Sequence, residues 1–351
     1  MRIVKIEDLK GGEVLERAII THDFQSLLSE GTTLKKEYIE KLKELGIESV
    51  YVQDEIKIPV EEISILREDV ENSFREKVQN ILEKHTYQHN TELIELSKTA
   101  DSIISNILEE EKVVERIYDI KERSADIYEH SISVCSLAIL IAIKLKLDKE
   151  EIHDIGVGCL LHDMGLRYLT INYKDQNLDE LSDLELSEYK KHPVYGYSSL
   201  QGENWISERS KQTILYHHER LDGSGYPLKA KALTIYSKII SVCDIFDEMI
   251  CGIGCRQIKV YEAVEYLKTF KGTKYDAEIV DLFLDFTAVY PVGTMVLLNT
   301  GETGIIIRQN AHFPERPVLR VIKDKNGKEI TNEIKIDLLE KHSIFINEVL
   351  N

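Results

Sequence analysis

The stretch CLLHDMGLRYL, residues 159–169, ends an apolar run with a histidine and an aspartate side by side, His162 and Asp163. The run that leads to them, GVGCLL, has the character of a buried helix. A carboxylate that is buried without a counter-charge destabilises a protein by several kcal/mol even after relaxation. We therefore expect Asp163 to lie beside a compensating positive charge.

The composition predicts a globular protein that does not bind a polynucleotide. Its 351 residues are 43% hydrophobic and 30% charged, and the formal net charge is −18. Polynucleotide binding normally depends on clustered Lys and Arg. A small anionic ligand remains compatible with this charge, because bound metal ions can supply the positive charge locally.

The cysteines and the apolar runs predict a cytoplasmic protein without a membrane partner. The five cysteines are scattered and odd in number, which favours reduced thiols. The N-terminus is charged from its second residue, unlike a signal peptide. The longest apolar run, SVCSLAILIAIKLKL at 133–147, is too short and too soon interrupted by lysines to span a membrane.

Hydrophobic periodicity predicts a mainly α protein with four parts. Residues 1–60 combine short β-like runs with one helix, and we expect a small α/β module for sensing or association. Residues 61–118 read as long amphipathic helices, which either link modules and pair into dimers or pack against the next domain. Residues 119–290 are helical almost throughout. Residues 291–351 alternate in hydropathy around an Asn-Gly hairpin signal and predict a small antiparallel β appendix.

Histidines and carboxylates recur in the helical region in a pattern that suits metal ions. Asp126 and His130 are four residues apart, on one face of a predicted helix. His192 precedes a proline, and His217 and His218 stand in tandem. Imidazole and carboxylate together suit iron, manganese or zinc.

The number of these ligands predicts more than one metal ion. Asp163 and Asp244 each interrupt an otherwise apolar segment, and one tetrahedral ion could not use all the ligands on offer. We therefore expect two or three divalent ions, two of which a carboxylate such as Asp163 could bridge. A site of this kind activates water and holds phosphate oxygens, which is the two-metal route to the hydrolysis of a phosphate ester.

The order of the motifs resembles the HD-GYP family of phosphodiesterases over roughly residues 120–290. The matching motifs are HS at 130, LHDMG from 161, HP at 192 and HHERLDGSGYP from 217. Asp244 then falls at the family's last metal-binding aspartate. The resemblance implies an all-helical domain that uses iron or manganese to hydrolyse cyclic di-GMP to pGpG, GMP or both.

The resemblance also implies roles for single residues, with His162 and Asp163 as the catalytic pair. The positions that match the metal ligands are His130, His162, Asp163, His192, His217, His218 and Asp244. Asp126 falls where some members bind a third metal through a glutamate. Gly225, Tyr226 and Pro227 match the loop beside the substrate pocket, and the same loop could equally serve as a structural turn.

Two basic positions of the family pattern are apolar here. HD-x-G-K has Leu166 in place of its lysine. D-A-x-T-S-x-R-P-Y-R aligns with DEMICGIGCR, residues 247–256, so that Ile253 replaces the first arginine and Arg256 keeps the last basic position. Each lost charged hydrogen bond commonly costs about 1.5–3 kcal/mol. We expect an intact metal cage, with Arg256 left to bind a substrate phosphate.

Three functions are compatible with this pattern. The preferred one is a cyclic di-GMP phosphodiesterase. The second is a cyclic dinucleotide receptor with weak or no turnover, which the loss of two cations motivates. The third is a phosphodiesterase for another dinucleotide, such as 3′,3′-cyclic GMP-AMP. The long helices also favour a homodimer.

Overall fold

The computed structural model describes residues 2–16, 18–20, 26–47, 49–53, 60–88, 91–110 and 112–350. The chain forms two compact units, of which the first comprises Met1–Val60 with Glu122–Ser124. In this unit β1 (Arg2–Lys5) pairs with β4 (Ser49–Val52), and β2 (Ile19–Ile20) pairs with β3 (Ser26–Leu28), both antiparallel. Helix α1 (Lys36–Glu44) buries Ile39 and Leu42 in a small apolar core.

The second unit, Glu61–Lys121 with Ala125–Asn351, contains the other helices. Two long helices come first, α2 (Glu68–Gln88) and α3 (Glu95–Glu109). The helices that follow are α4 (Ile127–Lys144), α5 (Lys149–Leu161), α6 (Asp183–Tyr189), α7 (His192–Ser199), α8 (Glu208–Tyr216), α9 (Ile235–Cys251), α10 (Val260–Phe270) and α11 (Ala277–Phe286). A 3₁₀ helix, Met164–Tyr168, comes shortly after α5.

Helix α4 forms the centre of the helical core. It is buried from His130 to Ala142 and packs against α2, α5 and α9. By length and composition α4 could cross a membrane, but 72% of its apolar window is buried inside the protein, as in a core helix. Asp126 caps its N-terminus by accepting hydrogen bonds from the backbone N–H groups of Tyr128 and Glu129.

Helices α2 and α3 pack into the same core. Val78 and Leu82 of α2 and Leu96 and Ile103 of α3 are buried with the apolar residues of α4 and α5. This packing agrees with the second interpretation of residues 61–118, in which the helices pack against the next domain. The homodimer stays a prediction.

The C-terminal part is a five-stranded antiparallel sheet. Its strands are β5 (Met295–Leu298), β6 (Thr303–Arg308), β7 (Val318–Lys323), β8 (Glu329–Asp337) and β9 (Ile346–Leu350), in the order β8-β7-β6-β5-β9. The predicted hairpin joins β7 to β8, with Gly327 at a φ of 78°. The predicted fold class, mainly α with a small N-terminal α/β unit and a small C-terminal antiparallel sheet, is confirmed.

Candidate metal centre

Helix ends bring four of the predicted histidines to one buried place. His162 and His217 are the C-cap residues that directly follow α5 and α8. His130 lies in the first turn of α4, and His192 begins α7. All four side chains are completely buried.

One ring nitrogen of each of these histidines is taken by a hydrogen bond to an oxygen. In three of them the partner of Nδ1 is the carbonyl oxygen three residues earlier, at 2.7–2.8 Å: His162 with Cys159, His192 with Tyr189, and His217 with Ile214. His130 Nδ1 lies 2.7 Å from a carboxylate oxygen of Asp247. These oxygens accept, so Nδ1 carries the hydrogen and Nε2 keeps a lone pair for a metal.

Asp163 lies between two pairs of imidazoles, with one oxygen near each pair. Its Oδ2 is 3.5 Å from His130 Nε2 and 3.6 Å from His162 Nε2. Its Oδ1 is 3.3 Å from His192 Nε2 and 3.6 Å from His217 Nε2. A carboxylate in this position could bridge two cations, one through each oxygen.

Asp244, in the middle of α9, completes the cluster. Its Oδ1 is 3.2 Å from both His130 Nε2 and His162 Nε2, and its Oδ2 is 3.5 Å from His218 Nδ1. The ligand atoms thus form two groups that Asp163 joins. The first group contains His130, His162 and Asp244, and the second contains Asp163, His192, His217 and His218.

The cluster fits divalent metal ions. Within the described part of the chain, several of its buried atoms have no hydrogen-bond partner: Asp163 Oδ2, both carboxylate oxygens of Asp244, and His218 Nε2. Nε2 atoms also approach to 3.1 Å in two pairs of rings, His130 with His162 and His192 with His217. With the hydrogens on Nδ1, lone pairs face one another, which is unfavourable unless a cation binds them.

Without a bound ion, the electrostatics of the cluster act differently on its members. Burial lowers the pKa of His130, but hydrogen bonds with Asp244 and Asp247 outweigh it and raise that pKa well above its ordinary value. Burial likewise lowers the pKa of His162, but Asp163 and Asp244 outweigh it and raise that pKa.

Burial alone would raise the pKa of Asp163, but His162, His192 and His217 outweigh it and hold that pKa well below its ordinary value. Burial, reinforced by His217, lowers the pKa of His218 well below its ordinary value. Ionised carboxylates and neutral imidazoles are the forms that coordinate a metal.

The loop at 225–227 packs directly on the tandem histidines. A Cβ at Gly225 would lie 2.4 Å from the carbonyl oxygen of His218, so only glycine fits there. Tyr226 N donates to the same carbonyl at 3.2 Å, and its ring lies 4.5 Å from the His218 ring. The loop therefore supports His218. The prediction that Gly225, Tyr226 and Pro227 bind substrate stays a prediction.

A second glycine allows the turn after Asp163 to approach α7. A Cβ at Gly165 would lie 1.9 Å from the carbonyl oxygen of His192. The glycine of the HDMG motif is therefore required by the packing that places His192 next to Asp163.

Leu166 and Ile253, which replace the basic residues of the family pattern, lie in one apolar cluster. They are 1% and 0% exposed, and they pack with Tyr189 and Cys251. Apolar packing therefore occupies the place of the two missing cations.

Asp126 and Arg256 lie outside the two ligand groups. The Asp126 carboxylate caps α4 and forms an ion pair with Arg75, whose Nε donates to it at 3.0 Å. Arg256 is an exposed residue, and its Nη2 lies 2.8 Å from Glu180 Oε1. In the structure Asp126 caps a helix and pairs with a cation. Its binding of a third metal stays a prediction, and so does the binding of a substrate phosphate by Arg256.

Two acidic residues of α9 belong to the cluster but are absent from the predicted ligands. Asp247 accepts hydrogen bonds from His130 Nδ1 and from Ser133 Oγ, the latter at 2.5 Å, and so orients His130. Glu248 Oε1 lies 3.9 Å from His218 Nε2. Helical spacing is the signal for both, since they follow Asp244 by three and four residues on one helix face.

Two known domain families match this chain, one over its helical part and one over its C-terminal β part. The HD domain family matches residues 103–279, just over half of the chain. A KOW domain associated with the HD domain matches residues 295–351.

Two similar proteins are named as cyclic di-GMP phosphodiesterases. A cyclic di-GMP phosphodiesterase of Pseudomonas aeruginosa is 26% identical over 248 residues, covering 69% of this chain and 59% of the relative. The chain thus spans less than two thirds of that protein. A cyclic di-GMP phosphodiesterase of Thermotoga maritima is 28% identical over 272 residues, covering 72% of this chain and 70% of the relative.

A solved structure supports the fold. An HDG"Y"P protein from Bdellovibrio bacteriovorus superposes with a TM-score of 0.54 at 19% identity, over 80% of this chain and 97% of the other. The buried histidine and aspartate groups lie inside the range that the HD domain family matches. The chain therefore belongs to the HD domain family and carries the HD-GYP motifs.

Proposed function

We propose that this chain is a metal-dependent phosphodiesterase that hydrolyses cyclic di-GMP to pGpG, GMP or both. The observation that carries the proposal is the pair of ligand groups that share Asp163, one carboxylate oxygen near each. Two divalent ions bound at such a pair supply an activated water and neutralise the phosphate oxygens of the substrate. The activity of the relatives named above supports the choice of substrate.

The residues of the chain hold and orient this centre. The ligands proposed for one ion are His130, His162, Asp163 and Asp244, and those for the other are Asp163, His192, His217 and His218. The Nδ1 hydrogen bonds fix four of the rings with Nε2 toward the ions. Burial of these side chains excludes bulk water from the ligand atoms.

We propose iron or manganese as the metal. The two ligand groups contain imidazoles and carboxylates, and the nearby thiol of Cys251 lies in a separate group with His130 and Asp247. Nitrogen and carboxylate ligands of this kind suit iron and manganese, whereas thiolate would favour softer ions.

Arg167 can supply the cation that Leu166 does not. Arg167 follows Leu166 on the 3₁₀ helix and lines one crevice with Asp163 and Tyr128. Its Nη1 donates to Tyr128 Oη at 3.0 Å, while its buried Nε has no partner in the described part of the chain. We propose that Arg167 contacts a substrate phosphate at the edge of this narrow crevice. Arg256 would have to leave Glu180 to take the same role.

A cyclic dinucleotide receptor with weak or no turnover is the second candidate. The observation that favours it is the apolar cluster around Leu166 and Ile253, which leaves fewer cations to stabilise a phosphate in the transition state. A phosphodiesterase for 3′,3′-cyclic GMP-AMP is the third candidate, because altered phosphate contacts could change the preference among dinucleotides.

We further propose the domain boundaries 1–60, 61–118, 119–290 and 291–351. The division of the chain into units after Val60 and the range of the KOW match agree with the first and last of them. We also propose a cytoplasmic location, which the free cysteines support. We propose that residues 1–60 act in sensing or association.

The test is anaerobic incubation of protein loaded with Fe(II) or Mn(II) with cyclic di-GMP and, in parallel, with 3′,3′-cyclic GMP-AMP. Chromatography then separates the nucleotides. We expect pGpG or GMP to appear, and chelation of the metal to abolish it. Intact ligand that co-elutes with the protein would support the receptor instead. If the protein neither binds nor cleaves either dinucleotide, the proposal is contradicted.

A pair of variants isolates the site. Asp163→Ala should abolish both metal loading and turnover, because it removes the carboxylate that joins the two ligand groups. His153→Ala is the matched control, since this histidine pairs with Asp101 at 2.8 Å outside the cluster. Full metal content and turnover in Asp163→Ala would refute the assignment of the site.

A further inference from the structure

Glu248 is a buried acidic residue that belongs to neither of the two ligand groups. It lies one helical turn after Asp244 on α9, so both carboxylates emerge from the same face of that helix. Its side chain is only 8% exposed. A glutamate is rarely buried to this degree unless it is paired or binds a metal.

Glu248 lies beside two other residues that can bind a metal, His218 and Asp244. Glu248 Oε1 lies 3.9 Å from His218 Nε2, and Asp244 Oδ2 lies 3.5 Å from His218 Nδ1. One ligand atom from each of the three residues falls within 4.8 Å of the others. His218 Nε2 and both Asp244 oxygens are buried atoms without hydrogen-bond partners among the described residues.

Two carboxyl groups, those of Asp244 and Glu248, are buried next to each other and to His218. Arg220 is a buried basic residue that acts on both, but its Nη1 donates to the carbonyl oxygens of His217 and Glu219. A divalent cation bound between the two carboxyl groups would offset their mutual repulsion.

We propose that Glu248 is a further metal ligand, which binds a divalent cation together with His218 and Asp244. The inference rests on the metal centre of the proposed function and adds to it a ligand that the family pattern, with alanine at this position, does not provide. The additional acidic ligand that we propose is on α9. Asp126, the acidic residue at which the family pattern would place a third metal, is paired with Arg75.

The test is a titration of the metal-free full-length protein with Co(II), followed by visible absorption and by elemental analysis of the loaded protein. Glu248→Gln keeps the shape of the side chain and removes the ligand charge. We expect it to weaken the binding of one Co(II) at least tenfold and to change the absorption band of that ion. Asp101→Asn is the matched control, because its carboxylate also pairs with an imidazole but lies outside the cluster.

The outcomes separate this inference from the proposed function. Wild-type protein that binds no Co(II) would overturn both. Wild-type binding with an unchanged affinity and band in Glu248→Gln would overturn the inference alone, and so would a weaker affinity with an unchanged band, which indicates a purely electrostatic effect. Loss of one ion in Asp126→Asn but not in Glu248→Gln would return the ligand to Asp126. Circular dichroism of the metal-free variants checks that each is folded.

Discussion

Replacing Leu166 with lysine tests what the apolar cluster does. If the cluster merely leaves a phosphate-binding place empty, Leu166→Lys restores a cation of the family pattern and should improve binding of a cyclic dinucleotide. If the cluster is part of the core, the same change buries a charge. The structure favours the second outcome, because Leu166 is 1% exposed and packs with Tyr189, Cys251 and Ile253.

The magnitude follows from two losses. Full burial of a leucine side chain stabilises a fold by about 1.5–3 kcal/mol, most of which a buried ammonium group forfeits. Desolvation of the ammonium adds a penalty of several kcal/mol unless a carboxylate pairs with it. Asp163, three residues earlier, is already surrounded by four imidazoles. We therefore expect Leu166→Lys to lower the free energy of unfolding by at least about 3 kcal/mol.

Urea denaturation of the metal-free protein measures this change. Leu166→Met is the matched control, since a swap that conserves volume in a core usually costs less than about 1.5 kcal/mol. Wild-type stability in Leu166→Lys, together with tighter binding of cyclic di-GMP, would refute the reasoning. It would show that residue 166 faces the substrate rather than the core.

Three further substitutions test the surroundings of the ligands. Asp247→Asn should lower Mn(II) affinity roughly 10–100-fold, because the carboxylate orients His130; calorimetric titration measures it, and an unchanged affinity would contradict the role. Gly165→Ala should destabilise the fold by at least about 1 kcal/mol in urea denaturation, since its Cβ would meet the carbonyl of His192; wild-type stability would contradict the close packing. Arg167→Ala should raise KM for the dinucleotide about tenfold with little change in kcat; steady-state kinetics that show an unchanged KM would count against phosphate binding.

The secondary structure and the main residues of the cluster could be predicted because both follow from local pattern. Periodicity indicated the helices and the change to strands near residue 291. Carboxylates that interrupt apolar runs, as Asp163 and Asp244 do, carried the metal hypothesis. The structure gathers the seven matched ligands, although no spacing in the sequence could show which pair of imidazoles each oxygen of Asp163 approaches.

Asp126 shows where helical spacing misleads. Four residues before His130 it would share the face of that histidine if the helix extended so far. The helix begins at Ile127 instead, and Asp126 is the N-cap with an extended φ of −113° and ψ of 113°. Its carboxylate turns back to the first backbone N–H groups and to Arg75, which lies 51 residues away in sequence. Only the tertiary structure reveals that partner.

The apolar cluster could not be predicted for a related reason. Leu166 and Ile253 read in the sequence as two separate losses of a cation. In the structure they belong to one packed apolar cluster, so the two replacements alter the same part of the protein. Such a relation depends on contacts between the turn after α5 and the end of α9, which single-sequence periodicity does not contain.

Helix ends explain why this cluster needs Asp247. The last carbonyls of a helix lack intrahelical partners, and the Nδ1 atoms of His162, His192 and His217 bond to such carbonyls near the ends of α5, α6 and α8.

His130 has no such carbonyl within reach, because it lies inside α4. The carbonyl of Asp126 accepts from His130 N, and that of Ile127 accepts from Ser131 Oγ. Its Nδ1–H therefore requires a side-chain acceptor, which α9 provides through Asp247, three residues after the ligand Asp244. The D-x-x-D spacing on α9 thus places a metal ligand and the acceptor that orients its neighbour on one helix.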